Sequence, residues 1–585
     1  MQAVIKDNKF IYLRQMTQGV EDCVVQWFSV RDPKYYNRRG LSINNYEWDG
    51  WYRRYHTKYQ RLALPFLNEL KKCCEKNNLP LEISDERNAP TYPAPKQEEI
   101  TNTFIDGIIL EDYQVRALQA ACNDEIGVIV GSTGSGKTEC ICGLVKMFRC
   151  PTLIITEQII VLNQIVEKLK IRNVVHRDDI GLFCSGHLPD GNLVVVGSIQ
   201  SVSTPSEPEK KEIKLSGKSI LKQVCEWTKK ERERRTEGLE PYSDDNQYLL
   251  KVLPKHLAEQ LIDDDQNIND FDDVYVNNIV DYANNLEFER RKKWFITRKS
   301  RSKIVQDFIR KCDLCIIDEA DTAVSQQFAR LFKFYFNGRR RYGLTGTPYD
   351  VKKPVQGLLL KEHLGSVISE VRRAEVEEAG RIIPIKFYMI VVGDEANKTD
   401  ARTYDIAMKE EIVENVSFHK LVAKIVKQYE NDGTLILVDT SPIEPLGYAL
   451  EQIIPNAKFI FGKTSKKKRI ELIQKFESRE LKVLIGSKIL KRGFDLKGGC
   501  ENLIIVGSGG LWSDFNQKVG RAVRLNSTGR ARVFAFLYLN NKYLYKHSRE
   551  HLKAVVDMGY ESRVITNGVT IDGRQFIKSR FKIPK

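Results

Sequence analysis

The apolar positions of this chain fall into short unbroken runs, separated by stretches in which they recur at helical spacing. Residues 126–130 (IGVIV), 153–156 (LIIT), 193–197 (LVVVG) and 314–317 (LCII) are apolar on both faces, as strands of a sheet covered on both sides must be. Residues 139–148 and 159–169 lie between such runs and carry the periodicity of helices with one buried stripe. A further strand ends at 342–345. Strands alternating with helices predict a parallel, doubly wound sheet. The same rhythm returns at 434–438, 458–461, 483–485 and 503–506, predicting a second α/β unit from about residue 391 to 545. The expected fold class is therefore α/β, with two doubly wound parallel-sheet domains.

Three stretches break the rhythm. Residues 1–95 are rich in tyrosine, tryptophan and arginine and predict a small α+β domain followed by a linker. Within them, 62–77 has helical apolar spacing through Leu64, Phe66, Leu67, Leu70 and Cys74, and Trp48-Asp49-Gly50 predicts a turn between two short strands. Arg87 to Lys96 holds three prolines in ten residues and predicts an extended linker. Residues 203–305 carry charge in blocks, basic then acidic then basic, and predict a helical or partly disordered insertion within the first α/β domain, 96–390. Residues 546–585 read as a C-terminal extension.

Charge adds to this picture. The 585 residues carry a net charge of +15, a balance that suits a polyanionic partner such as nucleic acid. The 12 cysteines form no framework and fit a reducing cytoplasm. Cys312 and Cys315 are spaced C-x-x-C without a second pair, so they read as core thiols. No run reaches the ~18 apolar residues of a membrane span, and the N-terminus has no signal-peptide core. A cytoplasmic location without membrane contact is expected, along with a monomer.

The chemistry centres on Gly131-Ser-Thr-Gly-Ser-Gly-Lys-Thr138, which fits the phosphate-binding loop pattern at every fixed position, between a strand and a helix. Gly131, Gly134 and Gly136 let the backbone N–H groups converge on phosphates, with Ser132, Thr133 and Ser135 filling the loop. Lys137 would reach the β- and γ-phosphates of ATP, and Thr138 would place its hydroxyl on Mg²⁺. Asp318 and Glu319 follow an apolar strand, where a metal–nucleotide site needs them. Asp318 would hold Mg²⁺ through its water shell, and Glu319 would deprotonate the attacking water. Arg521 and Arg524 lie three apart on a predicted helix face and can act as arginine fingers.

As a set these pieces resemble the superfamily 2 helicases. Gln114 matches the adenine-reading glutamine motif, 131–138 motif I, 154–164 motif Ia, 318–321 (DEAD) motif II and 345–348 (TGTP) motif III. Residues 435–440 match motif IV, 487–495 (SKILKRGFD) motif V and 517–524 (QKVGRAVR) motif VI. The Thr-Gly-Thr-Pro and Gln-Lys-Val-Gly-Arg forms look like the DNA-remodelling branch that includes XPB, RecG and the restriction-enzyme translocases, rather than the DEAD-box RNA helicases. Motif Ia departs from the pattern, with Thr156 where a proline is usual and Glu157 beside it. Tyr46-x-Trp48-Asp49-Gly50, followed by the 62–74 segment with Leu64-Pro65, is similar to the domain preceding the motor in bacteriophage UvsW-type recombination helicases. The resemblance implies two RecA-like domains with ATP between them. Gly493, Asp495 and Gln517 would complete the site from the second domain. Thr156, Ser198, Thr440 and Ser487 would grip DNA, and Trp48, Arg53 and Arg54 would engage it from the N-terminal domain. Forked or junction DNA is the implied partner, with other replication or recombination proteins beside it, in a host-cell cytoplasm if the chain is phage-encoded. An RNA helicase, or a nucleic-acid-binding scaffold with a vestigial ATP site, are the alternatives.

Overall fold

A computed structural model describes the chain except residues 34, 36–41, 44–45, 48, 133, 158, 184–189, 203–302, 347–352, 395–400, 402, 439–442, 487–498, 508–518, 520–525, 527 and 581–585. Residues 203–302 of the insertion, all of motif V and motif VI apart from Val519 fall outside the described residues. Residues 1–200 and 309–585 form one compact unit.

The N-terminal region builds a four-stranded sheet from β1 (Gln2–Ile5), β2 (Phe10–Arg14), β3 (Arg61–Ala63) and β4 (Glu82–Asp85), in the order β3-β2-β1-β4. Helices α1 (Gln18–Trp27) and α2 (Leu67–Lys76) join it. The helix expected over 62–77 is shorter. Leu62 and Ala63 are strand, Leu64–Phe66 form a 3₁₀ turn, and the helix proper starts at Leu67. Pro65 has no N–H to give a helix, so it fits the first turn rather than the interior. The segments flanking Trp48 are strands, but they pair away from each other. Tyr46–Glu47 pairs with Ser42–Ile43, and Trp51–Arg53 with Ser29–Arg31.

Leu358 and Ile126, from beyond the N-terminal region, pack into this small core beside Phe28, Phe66 and Leu70. Buried Glu69 receives hydrogen bonds from Lys361 Nζ and Ser366 Oγ, both at 2.9 Å. The proline-bearing segment is extended but pinned. Arg339 donates to the Asn88 carbonyl at 2.9 Å and Arg340 to that of Tyr92, while Tyr92 and Ala94 pack on the next core.

That core belongs to a seven-stranded sheet of β5 (Ile126–Gly131), β6 (Thr152–Thr156), β7 (Ile180–Phe183), β8 (Val194–Ser198), β9 (Leu314–Asp318), β10 (Arg340–Thr345) and β11 (Val367–Val371). Their order is β7-β8-β6-β9-β10-β5-β11, parallel at every pairing. Helices α3 (Asp112–Asn123), α4 (Lys137–Phe148), α5 (Ile159–Ile171) and α6 (Pro354–Leu364) accompany it. The strands read from the two-sided apolar runs all appear, each within a residue or two of its expected bounds.

A short helix, α7 (Arg373–Glu378), leads to the second sheet. Its strands are β12 (Ile385–Val392), β13 (Thr434–Val438), β14 (Ala457–Ile460), β15 (Val483–Gly486), β16 (Asn502–Val506), β17 (Ala531–Tyr538), β18 (Glu561–Thr566) and β19 (Val569–Asp572). The order is β14-β15-β13-β16-β17-β12-β18-β19. Only the terminal β18–β19 pair is antiparallel. Numbered within each sheet, both follow 3-4-2-5-6-1-7, so the two are RecA-like repeats of one winding. The second sheet opens at Ile385, and residues beyond 545 supply its last two strands. No described helix is long and apolar enough to cross a membrane.

Candidate nucleotide site

Parallel strands of a doubly wound sheet present their carboxyl ends along one edge, and ligands bind there. Five consecutive strands of the first sheet, β8-β6-β9-β10-β5, end on Ser198, Thr156, Asp318, Thr345 and Gly131. Chain register sets them side by side. Thr156 is level with Ser198, Asp318 with Leu344, and Thr345 with Val130. The sequence-predicted residues of motifs I, Ia, II and III thus share one edge.

The phosphate loop leaves β5 at Gly131 and enters α4 at Lys137. Gly134 (φ 89°) and Gly136 (φ 77°) are left-handed, which only glycine adopts without strain. A side chain at Gly136 would also collide with Gln114 Nε2. The loop closes on itself through Ser135 N–H donating to Ser132 O at 3.1 Å. Lys137 Nζ approaches Gly131 O at 3.4 Å. Ser132 Oγ is buried without a hydrogen-bond partner among the described residues. Thr138 sits in the first turn of α4, at its positive end.

Gln114 is buried on α3 and holds the loop from the side. Its Nε2 donates to Ser135 O, and its Oε1 accepts from the Glu111 N–H, both at 2.9 Å. An amide has two donor hydrogens and two acceptor lone pairs. Among the described residues that leaves one donor and one acceptor, the pair that one edge of adenine would match.

Opposite the loop, Asp318 is 7% exposed. Burial, then the adjacent Glu319 charge, push its carboxyl up to about 6, against the pull of Lys137. Asp321 is likewise pushed up to about 6 by burial and Glu319. It accepts a hydrogen bond from Thr345 Oγ1 at 3.3 Å, tying motif II to motif III. Glu319 has φ 53°, a left-handed conformation uncommon outside glycine and a form of strain that clusters at functional sites. Carboxyls raised this way by burial and like charge are stabilised by a divalent cation, so the donor set fits Mg²⁺.

The N-terminal arginines separate. Arg53 pairs with Asp49 at 2.6 Å on the surface. Arg54 pairs with Glu362 of α6 at 3.3 Å and buries its Nε. Trp48, Thr133, Thr440, Ser487, Gly493, Asp495, Gln517, Arg521 and Arg524 lie outside the described residues. Sequence reading passed over the segment joining the two sheets. Ile382 lies against Gly134, where a side chain would collide with its Cγ2, and Arg381 pairs with Glu111 at 2.6 Å. Neither residue belongs to a motif.

Two family models match. "Type III restriction enzyme, res subunit" covers residues 107–221, from α3 through the phosphate loop, and "Helicase conserved C-terminal domain" covers 418–526 of the second sheet. The TFIIH helicase/translocase subunit XPB of Drosophila melanogaster is 28% identical over 149 residues, 24% of this chain and 18% of that protein. The ATP-dependent RNA helicase RhlB of Xanthomonas axonopodis pv. citri is 23% identical over 225 residues, 38% of this chain and 35% of that protein. The chain thus spans well under half the length of these relatives. The crystal structure of T4 UvsW aligns at 12% identity and a TM-score of 0.37, over 96% of this chain and 99% of that one. One family model thus falls on the sheet bearing the phosphate loop and the other on its repeat, in the order that the resemblance to the superfamily 2 helicases implies.

Proposed function

We propose that the chain is an ATP-hydrolysing DNA helicase or translocase that remodels branched DNA such as forks and junctions. The observation that carries the reading is the alignment of Gly131, Thr345 and Asp318 on adjacent strand ends, with Gln114 fastened to the loop between them. Gln114 would offer its remaining donor and acceptor to adenine. The loop N–H groups and Lys137 would hold the phosphates. Thr138 and Asp318 would hold Mg²⁺, which when bound neutralises charge on the β- and γ-oxygens. Glu319 would orient a water and take its proton. Gln517, Arg521 and Arg524 would reach the γ-phosphate from the second domain, beside Gly493 and Asp495.

Thr156 and Ser198, on the same edge, would grip one strand's phosphates, with Thr440 and Ser487 as their counterparts. Domain closure on ATP and reopening would then shift the two grips along the strand. Residues 1–95 would engage DNA beside the motor through Trp48 and Arg53. Arg54, spent on Glu362, would act as an anchor to α6. The net charge of +15 supports a polyanionic track.

The XPB likeness supports DNA, and the RhlB likeness favours a second reading, RNA unwinding. Comparing ATP turnover and unwinding on single-stranded, duplex and four-way-junction DNA and on RNA duplexes decides between them. Junction DNA should stimulate most, and activity should fall steeply with salt. Preferential RNA unwinding would overturn the DNA reading. No ATP turnover on any substrate would leave a binding scaffold.

A further inference from the structure

The residues between the two sheets are not a free tether. Helix α3, which carries Gln114, is fastened to them by two ion pairs, Arg116 with Glu375 at 2.7 Å and Arg381 with Glu111 at 2.6 Å. Between these pairs Tyr113, 4% exposed, packs into the same hydrophobic cluster as Val376, Ile382 and Ile383. That cluster continues without a break into Ile385, Phe387 and Leu435 of the second sheet. The third side of the triangle is direct, since Ile382 rests on Gly134 at the tip of the phosphate loop. Ile382 is 3% exposed and has nowhere to retreat but the second sheet's core.

We propose that Ile382, held by Arg381, is the positioning residue through which occupancy of the phosphate loop is transmitted to the second sheet. The inference rests on the ATP reading above. Phosphate binding requires the loop N–H groups to turn toward one centre. Gly134, at φ 89°, can turn there without the strain that a side chain would bring. Any movement there meets a branched side chain packed like a crystal interior, which passes displacement on rather than absorbing it. Gln114 and the two ion pairs keep α3 moving with the loop and the connecting segment, so the displacement arrives at Ile385, where β12 begins. Neither Ile382 nor Arg381 needs to touch nucleotide.

Hydrogen–deuterium exchange with and without a non-hydrolysable ATP analogue tests this in the full chain. Wild type should gain protection over 131–137 and change exchange over 372–390. In Ile382→Ala and Arg381→Ala the loop protection should persist while the 372–390 response falls at least fivefold. Nucleic-acid-stimulated kcat should fall five- to twentyfold with the KM for ATP within twofold. Ile382→Val and Arg381→Lys should restore both. If wild type protects the loop but 372–390 stays silent, or if the alanine variants respond as wild type does, the proposal is overturned and the ATP reading stands. If nucleotide protects nothing in wild type, the ATP reading falls and the proposal with it.

Discussion

The two large sheets wind identically, 3-4-2-5-6-1-7, yet only one carries a phosphate loop. The difference lies in the residues just beyond the first strand of each. In the first sheet, β5 runs directly into Gly131 and the loop, and α4 starts at Lys137. In the second, β12 ends at Val392 and leads into Gly393 and Asp394, without a Gly-Lys-Thr sequence. Winding supplies an edge where ligands can sit, and the chemistry is placed on it by a few loop residues. The sheets also differ at strand seven. Beyond β11 the chain crosses to the repeat, whereas beyond β18 it folds back as the antiparallel β19.

The largest expected effect is therefore confined to the first sheet. Lys137→Ala should lower ATP turnover at least about a thousandfold, or ~4 kcal/mol of transition-state stabilisation. Asp394→Ala, at the matching place in the second sheet, should change it less than about threefold. Steady-state kinetics on both variants would break the comparison if the second sheet's loop proved equally sensitive.

Next comes Glu319→Gln, which keeps the shape but removes the base. Hydrolysis should fall at least about a hundredfold while nucleotide affinity stays within a few fold. The expected dissociation is visible by pairing fluorescent-nucleotide binding with phosphate release. Turnover at the wild-type rate would remove Glu319 from the role.

Much of this was legible in the sequence, because a strand buried on both faces is apolar along its length, and 314–317 or 435–438 can be little else. The loop was legible because Gly136, a fixed position of the motif, has a left-handed φ that favours glycine. What the sequence did not reveal was long-range packing. Residues 62–77 carry helical spacing, yet Leu62 is drawn into the β3–β2 pairing and the helix starts only at Leu67. The 561–566 segment alternates buried and exposed along β18, but short alternation near a terminus does not announce which sheet it will join. Ile382 and Arg381 carry no motif, since their meaning comes from lying against residues some 250 positions earlier.

A smaller effect sharpens what is attached to the first sheet. Burial alone would raise the Glu69 carboxyl, but Lys361, Ser366 and Lys72 outweigh it and hold it below the ordinary glutamate range. Its stabilisation is therefore present above the unfolded glutamate pKa and is lost as pH falls through the lower, folded value. Glu69→Ala leaves the Lys361 charge half-exposed, so the cost should be ~1–3 kcal/mol, less than for a fully buried pair. Thermal melts should show it at neutral pH, with the gap to wild type closing in acid. Since Leu358 and Ile126 complete the N-terminal core, deleting residues 1–95 should cost far more and compromise the folded motor itself. A soluble, fully active deletion would mean the N-terminal domain is merely appended.

The smallest effect concerns the two neighbouring arginines, which the sequence treats as equals and the structure does not. Arg53 is about half exposed and, among the described residues, its side chain is paired with Asp49, itself a surface residue, so a nucleic-acid phosphate can displace that partner at little cost. Arg54 is held by Glu362 with its Nε buried, and freeing it would leave a carboxylate unpaired under the N-terminal domain. Arg53→Ala should thus weaken DNA binding only ~2–5-fold near 100 mM salt and reduce the slope of log affinity against log salt by ~0.7–0.9, the counterion release of one phosphate contact. It should leave the melting temperature unchanged. Arg54→Ala should do the reverse, lowering the melting temperature while keeping the slope. Salt titrations by fluorescence anisotropy, run beside melts of both variants, separate the two roles. A slope that moves with Arg54 and not with Arg53 would mean that Glu362 releases its partner to nucleic acid, and that the contact between α6 and the N-terminal domain opens when the protein binds its track.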